Sequence, residues 1–185
     1  MESSYTLADR AGFYTRTFPI WPALRADNRW LDGIWVLGNN YKGSGYYGAY
    51  PPGYIKRVMA LFPDATSVMH LFSGSLARDT SACYFDIEDG DAHQLSQYCP
   101  PDSHDLILAD PPYSDEDALH YGTPMVNRNT VLKECAVVLE PGGFVVWLDQ
   151  VLPMFSKQYL QLVGLIGIVR STNHRFRVAS IFQKP

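Results

Sequence analysis

The chain reads as an α/β protein, an open and mostly parallel sheet flanked by helices and ending in an antiparallel hairpin. Three observations predict this. Apolar runs of strand length alternate with helix-period stretches from residue 52 onward. The run Phe144-Val145-Val146-Trp147-Leu148 is apolar throughout, as a strand covered on both faces must be. The last two apolar runs are joined by a short polar turn. With 185 residues and 46% hydrophobic content, the chain can build one substantial core. The expected organisation is an aromatic, glycine-rich segment 1–50 packed on a main domain 51–185.

Residues 1–50 are weak in periodicity. Pro19, Pro22, Gly38-Asn39-Asn40, Gly43, Gly45, Gly48 and Pro51-Pro52 mark turns rather than regular elements. Trp21, Trp30 and Trp35 are expected to cover one face of the sheet. From 52 to 62, the pairs Tyr54-Ile55, Val58-Met59 and Leu61-Phe62 recur at helical spacing after a proline start, which predicts a helix ended by Pro63. Strands are predicted at 68–72, ending in Ser73-Gly74-Ser75; at 83–85, ending at Asp86; and at 105–109. A helix at 131–139 stops at Pro141-Gly142-Gly143, and a strand follows at 144–148. The spacing predicts a further helix over 154–163, then a hairpin of 166–169 with 177–182.

Formal net charge is -4 and the sequence pI about 5.7, so no global field draws the chain to nucleic acid and any such contact needs a local basic patch. Cys83, Cys99 and Cys135 have neither paired nor metal-ligand spacing, which points to a reducing, cytoplasmic compartment. No stretch is long and apolar enough for a membrane span or a signal peptide.

The tetrapeptide Asp110-Pro111-Pro112-Tyr113 follows the apolar run Leu106-Ile107-Leu108-Ala109. It sets a carboxylate, a stiffened backbone and an aromatic ring at a strand exit. An exocyclic amino group keeps its lone pair in the attached ring. A carboxylate accepting one N–H and the Pro111 carbonyl accepting the other would draw that pair out toward an electrophile. Pro111 and Pro112 fix φ and aim the carbonyl in advance, and Tyr113 would stack on the base, its hydroxyl left to solvent or backbone. The competing reading is a rigid surface turn capped by Asp110, against which stands the cost of an idle carboxylate at a buried strand end.

Ligands of open parallel sheets lie at the carboxyl ends of the strands. There Phe72-Ser73-Gly74-Ser75 forms a small-residue turn, Asp86 is suited to ribose hydroxyls, and Asp91-Ala92 to an adenine amino group. Each alone also reads as an ordinary turn or loop carboxylate. The glycine fingerprint for a pyrophosphate is missing, so the ligand is expected to be a nucleoside without phosphates, which points to S-adenosylmethionine. The ten or so residues between Gly74 and Tyr84 are short for a helical crossover.

These residues resemble the motifs of the S-adenosylmethionine-dependent amino-methyltransferases, above all the DNA adenine-N6 and cytosine-N4 enzymes. Asp110-Pro111-Pro112-Tyr113 is similar to their catalytic motif, and Phe72-Ser73-Gly74-Ser75 to their cofactor loop, with Ser75 where glycine is commoner. The segment Tyr46-Tyr47-Gly48-Ala49-Tyr50 resembles the one closing over the methionine end of the cofactor, which adds Tyr47 and Gly48 to the cofactor residues. The resemblance spans about residues 45–182 and implies a Rossmann-like methyltransferase sheet. It also implies transfer to a planar amino nitrogen, most readily adenine N6 in DNA. Cytosine N4, guanine N2 of RNA and protein glutamine are the rivals, and a silent binding module is the alternative of another class. No separate recognition domain of the size seen in many restriction-type enzymes is expected within these 185 residues. Recognition falls to the loop 114–130 with Arg128, to the basic turn of Arg170, Asn173, His174, Arg175 and Arg177, or to a protein partner or second copy. The plainer reading of that turn is a solvated hairpin tip.

Overall fold

The structure, a computed structural model, describes residues 5–37, 50–170 and 176–185, with Arg170 described by its backbone alone. Eight strands, β1 (Arg25–Ala26), β2 (Leu31–Leu37), β3 (Val68–Leu71), β4 (Cys83–Phe85), β5 (His104–Ala109), β6 (Leu139–Asp149), β7 (Gln161–Arg170) and β8 (Phe176–Gln183), form one sheet. Its order is β1-β2-β7-β8-β6-β5-β3-β4. All strands except β1 and β8 run the same way, and β8 lies antiparallel between β6 and β7.

Alternation along the strands makes two cores. Leu106 and Leu108 of β5 share one with Val146 and Leu148 of β6, beneath α1 (Leu7–Thr17) and α2 (Tyr54–Leu61). Ile107 and Ala109 join Val145 and Trp147 in the other, beneath the 3₁₀ helix η1 (Ala92–Gln97) and α4 (Arg128–Val138). A short helix, α3 (Asp115–His120), follows β5. No helix among the described residues is long and apolar enough to cross a membrane.

The N-terminal segment is more regular than its composition suggests. Thr6 accepts from the backbone of Asp9 and Asp9 reaches back to the N–H of Thr6, a reciprocal cap that starts α1. That helix delivers Arg10 into the core, where its guanidinium bonds Asp64 at 2.8 Å and the Leu61 carbonyl at 3.0 Å. The rings of Phe62 and Phe144 each lie 4.7 Å from it. β2 then pairs in parallel with β7 and buries Leu31, Trp35 and Leu37. Of the three tryptophans expected to cover the sheet, Trp35 is buried and Trp21 is exposed.

The helix expected over 154–163 is not formed. The chain makes one turn, with the N–H groups of Tyr159 and Leu160 on the Ser156 carbonyl, and β7 begins at Gln161. Met154, the first apolar position of that pattern, stays exposed, whereas 161–170 finds ladder partners on both sides. Pairing beyond the reach of local spacing decides the element.

Gly164 sits where β7 bulges against β8 and passes β2 closely. A Cβ there would lie 2.7 Å from the Leu31 carbonyl oxygen, a backbone atom that cannot yield without bending β2. Gly164→Ala is therefore expected to destabilise the protein by about 2 kcal/mol, read as a lowered midpoint in urea unfolding.

Candidate active site

β3 pairs with β4 on one side and β5 on the other, so the chain leaves β3 for β4 and then crosses back past β3 to β5, which opens a crevice at the carboxyl ends of β3 and β5. The exits are tied together there. Asp110 donates its N–H to the Leu71 carbonyl at 3.3 Å, and the Phe72 and Ser73 N–H groups meet the Phe85 carbonyl at 2.8 and 3.3 Å. Phe72 takes φ 61°, strained for a residue with a side chain, and Gly74 takes φ 52°. The Gly74 N–H is held by the Asp86 carboxylate, which also caps the Ile87 N–H.

Beside this turn lies a cleft of about 390 Å³, within the range of small-molecule sites. One wall is Phe72, Ser73, Ser75, Leu76 and Ala77; the other is Tyr50, Pro51, Pro52, Gly53, Ile55 and Lys56. Ser73 is buried, and its hydroxyl has no hydrogen-bond partner among the described residues. α2 starts at Gly53, φ 79°, without a side-chain cap, so part of its first turn is left for a ligand or water. Tyr50 joins the cleft to β5 by donating its hydroxyl to the Leu108 carbonyl at 3.3 Å.

Asp110 stands at that junction. Tyr113 donates its hydroxyl to Asp110 Oδ1, rather than leaving it to solvent or backbone. Oδ2 has no hydrogen-bond partner among the described residues. Burial pushes the carboxyl up to about 7, against the Tyr113 hydrogen bond and the Arg177 cation, which pull it down; Asp149 and Asp117 add to the rise. The Tyr113 phenol is pushed up by its own burial and by Asp110, so it stays a donor. The Arg177 guanidinium lies 4.8 Å from the centre of the Tyr113 ring. Because β8 is antiparallel, its first residues arrive at the edge where β5 and β6 end.

The loop after the motif is held from below. Ser114 caps α3, and the Tyr113 N–H meets Asp117 at 3.3 Å. Asp149, fully buried at the end of β6, binds Arg128 Nε at 2.7 Å, and Arg128 Nη2 reaches the Tyr113 carbonyl at 3.0 Å. Arg128, expected to contact nucleic acid, instead spends its guanidinium on these two groups and is only 20% exposed. Asp91 caps η1 and bonds His93 Nδ1 at 2.7 Å, while His93 Nε2 accepts from the Asn127 N–H at 2.9 Å. The residue after Asn127 is Arg128, so a bonded line runs from Asp91 to the Tyr113 backbone.

Of the predicted residues, Phe72, Ser73 and Ser75 line the cleft, Gly74 and Asp86 lock its turn, and Asp110, Pro111, Pro112 and Tyr113 follow β5 without lining it, joined to it through the Tyr50 hydroxyl on the Leu108 carbonyl. Asp91 and Ala92 stand apart at η1, and neither lines the cleft. Tyr47, Gly48, Asn173, His174, Arg175 and the side chain of Arg170 lie outside the described residues. Sequence reasoning had Tyr50 only as the end of the segment 46–50 and missed Lys56, in the first turn of α2, as a cleft residue; it also missed the inward roles of Arg128 and Arg177.

No protein-family model matches the chain, and no curated protein matches it. Among solved structures, the CurJ carbon methyltransferase, in its selenomethionine form, superimposes with TM-score 0.40 and 10% identity over 70% of this chain. The chain spans 52% of that protein's length. A superposition this loose carries no argument, and the reading of the site rests on its own residues.

Arg128→Ala leaves the buried Asp149 carboxylate without its cation, held among the described residues only by the Trp147 Nε1–H and the Gln150 N–H. The expected loss is about 3 kcal/mol of stability, measured by urea unfolding; a variant as stable as the parent would return Arg128 to the solvent-facing role first expected.

Proposed function

We propose that the chain is an S-adenosylmethionine-dependent methyltransferase acting on an exocyclic amino group of a base in DNA, most readily adenine N6. One observation carries this: a half-buried carboxylate, Asp110, at the crevice between β3 and β5, with one oxygen held by Tyr113 and the other without a hydrogen-bond partner among the described residues. The residues present fit the cofactor. The unpartnered Ser73 hydroxyl and the turn 72–75 supply polar groups on one cleft wall, and Asp91 keeps its second oxygen without a partner among the described residues. In this reading Phe72, Ser73 and Ser75 of the cleft wall, with Gly74 and Asp86 of its turn, hold S-adenosylmethionine; Asp91 and Ala92, outside the cleft at η1, and Tyr47 and Gly48 are added by resemblance. When bound, the cofactor supplies an electrophilic methyl group.

The protein's own part is orientation and charge. Asp110 Oδ2 accepts one N–H of the amine and the Pro111 carbonyl the other, which draws the nitrogen lone pair out of conjugation. As the nitrogen gains positive charge, the half-buried carboxylate stabilises it, and the proton is lost after alkylation. Tyr113 flanks the base. Contacts to DNA are proposed for the turn of Arg170, Asn173, His174 and Arg175, with recognition completed by a protein partner or second copy.

Incubation with labelled S-adenosylmethionine and separate pools of DNA, RNA and protein, followed by nucleoside analysis, tests the reading. N6-methyladenine in DNA is the expected product. N4-methylcytosine would move the assignment to the other base, and label confined to RNA or protein would reject it. Asp110→Ala should abolish transfer and leave cofactor affinity nearly unchanged; equal loss of both would assign Asp110 to the cofactor.

The acceptor must be ionised, so transfer is expected to rise with pH through a midpoint near 7. Stability runs the other way. The folded carboxyl keeps its proton to higher pH than the unfolded one, so this group's contribution is complete below the unfolded value of 3.8 and is lost as pH rises through about 7. A rate profile and a series of unfolding curves across that window check both signs.

A further inference from the structure

We propose that Arg177 is a positioning residue for Asp110: its guanidinium backs the Tyr113 ring and fixes the phenol hydroxyl on the carboxylate, leaving only the ring's other face for a planar substrate. The inference rests on the methyltransferase reading for its substrate but on geometry for its mechanism. The Arg177 guanidinium is 4.8 Å from the ring centre. Its Nε is buried and has no hydrogen-bond partner among the described residues, so this cation is held against an aromatic face rather than by a carboxylate. Backbone pairing of Arg177 with Ile168 fixes its Cα, and alternation sets it on the same face as Ala179 and Ile181, the face that α2 covers.

A guanidinium suits this place. Its planar face stacks on the ring while its charge stays fixed, which a lysine ammonium does not reproduce. The charge also reaches past the ring to Asp110, where it opposes the effects of burial and of Asp149 and Asp117. Among the described residues, the other titratable groups coupled to Asp110 are the phenols of Tyr113, Tyr50 and Tyr54, all pushed up by burial, and Arg177 is the cation that favours ionised Asp110. Arg177, first read as part of a nucleic-acid-binding turn, thereby gains a role inside the site.

The test is a carbon NMR titration of the Asp110 carboxyl in the full chain, with aspartate labelled, for the parent, Arg177→Gln and Arg177→Lys. Arg177→Gln is expected to raise the midpoint by about one pH unit. Arg177→Lys should hold the midpoint near the parent value but raise the substrate KM about tenfold through loss of the planar stack. An unmoved midpoint in Arg177→Gln overturns the proposal. Should that variant not fold, Arg177→Met is read the same way; failure of both, with Arg177→Lys folded and unchanged in KM, would assign Arg177 to structure alone. The titration needs no turnover, so a shifted midpoint in a protein that methylates no polymer would keep this role and reject the methyltransferase.

Discussion

Placing the Asp110 carboxyl at the point where the sheet reverses is the constraint from which the rest of the site follows. A carboxylate removed from water there is unstable unless something answers its charge, and the described residues answer partially: one phenol donor, one nearby cation and a second oxygen without a hydrogen-bond partner among them. Full satisfaction would make the group inert. Burial keeps the folded protein dependent on protonation near neutrality, so the condition that favours the proposed transfer is the one that least favours the fold.

The two halves of the site are built from distant parts of the chain, yet they are not independent. Asp91 orients His93, His93 accepts from the N-cap residue of α4, and the next residue binds both Asp149 and the backbone of Tyr113. The same side chains cap η1 and α4. Local folding signals thus set how the loop after β5 is seated on the sheet, and a change near Asp91 is felt through helix starts rather than through the cleft.

What was legible in the sequence was local. Strand exits at Ser73, Asp86 and Asp110 stand out because prolines, glycines and carboxylates interrupt apolar runs, and the structure puts β3, β4 and β5 where those breaks fall. The opening of α1 was also written in Thr6 and Asp9, but the aromatic and glycine content around it masked the signal. β2 and the start of β7 were not legible, because each is made a strand by the other across more than a hundred residues. Charge gave least guidance. Nothing in the spacing of Arg128 or Arg177 separates a phosphate contact from a buried partner of Asp149 or a cover for Tyr113.

The register of β8 is set at the end remote from the cleft, where Lys184 exchanges backbone hydrogen bonds with Gly142 and Gly143 and its ammonium grips the Leu139 carbonyl. A slip of two residues would keep every side chain on its proper face, so hydrophobicity does not forbid it. It would still carry Arg177 about 7 Å along the sheet. The clasp at Lys184 therefore works as a ruler: it measures out, along about 23 Å of strand, where a cation meets an aromatic ring.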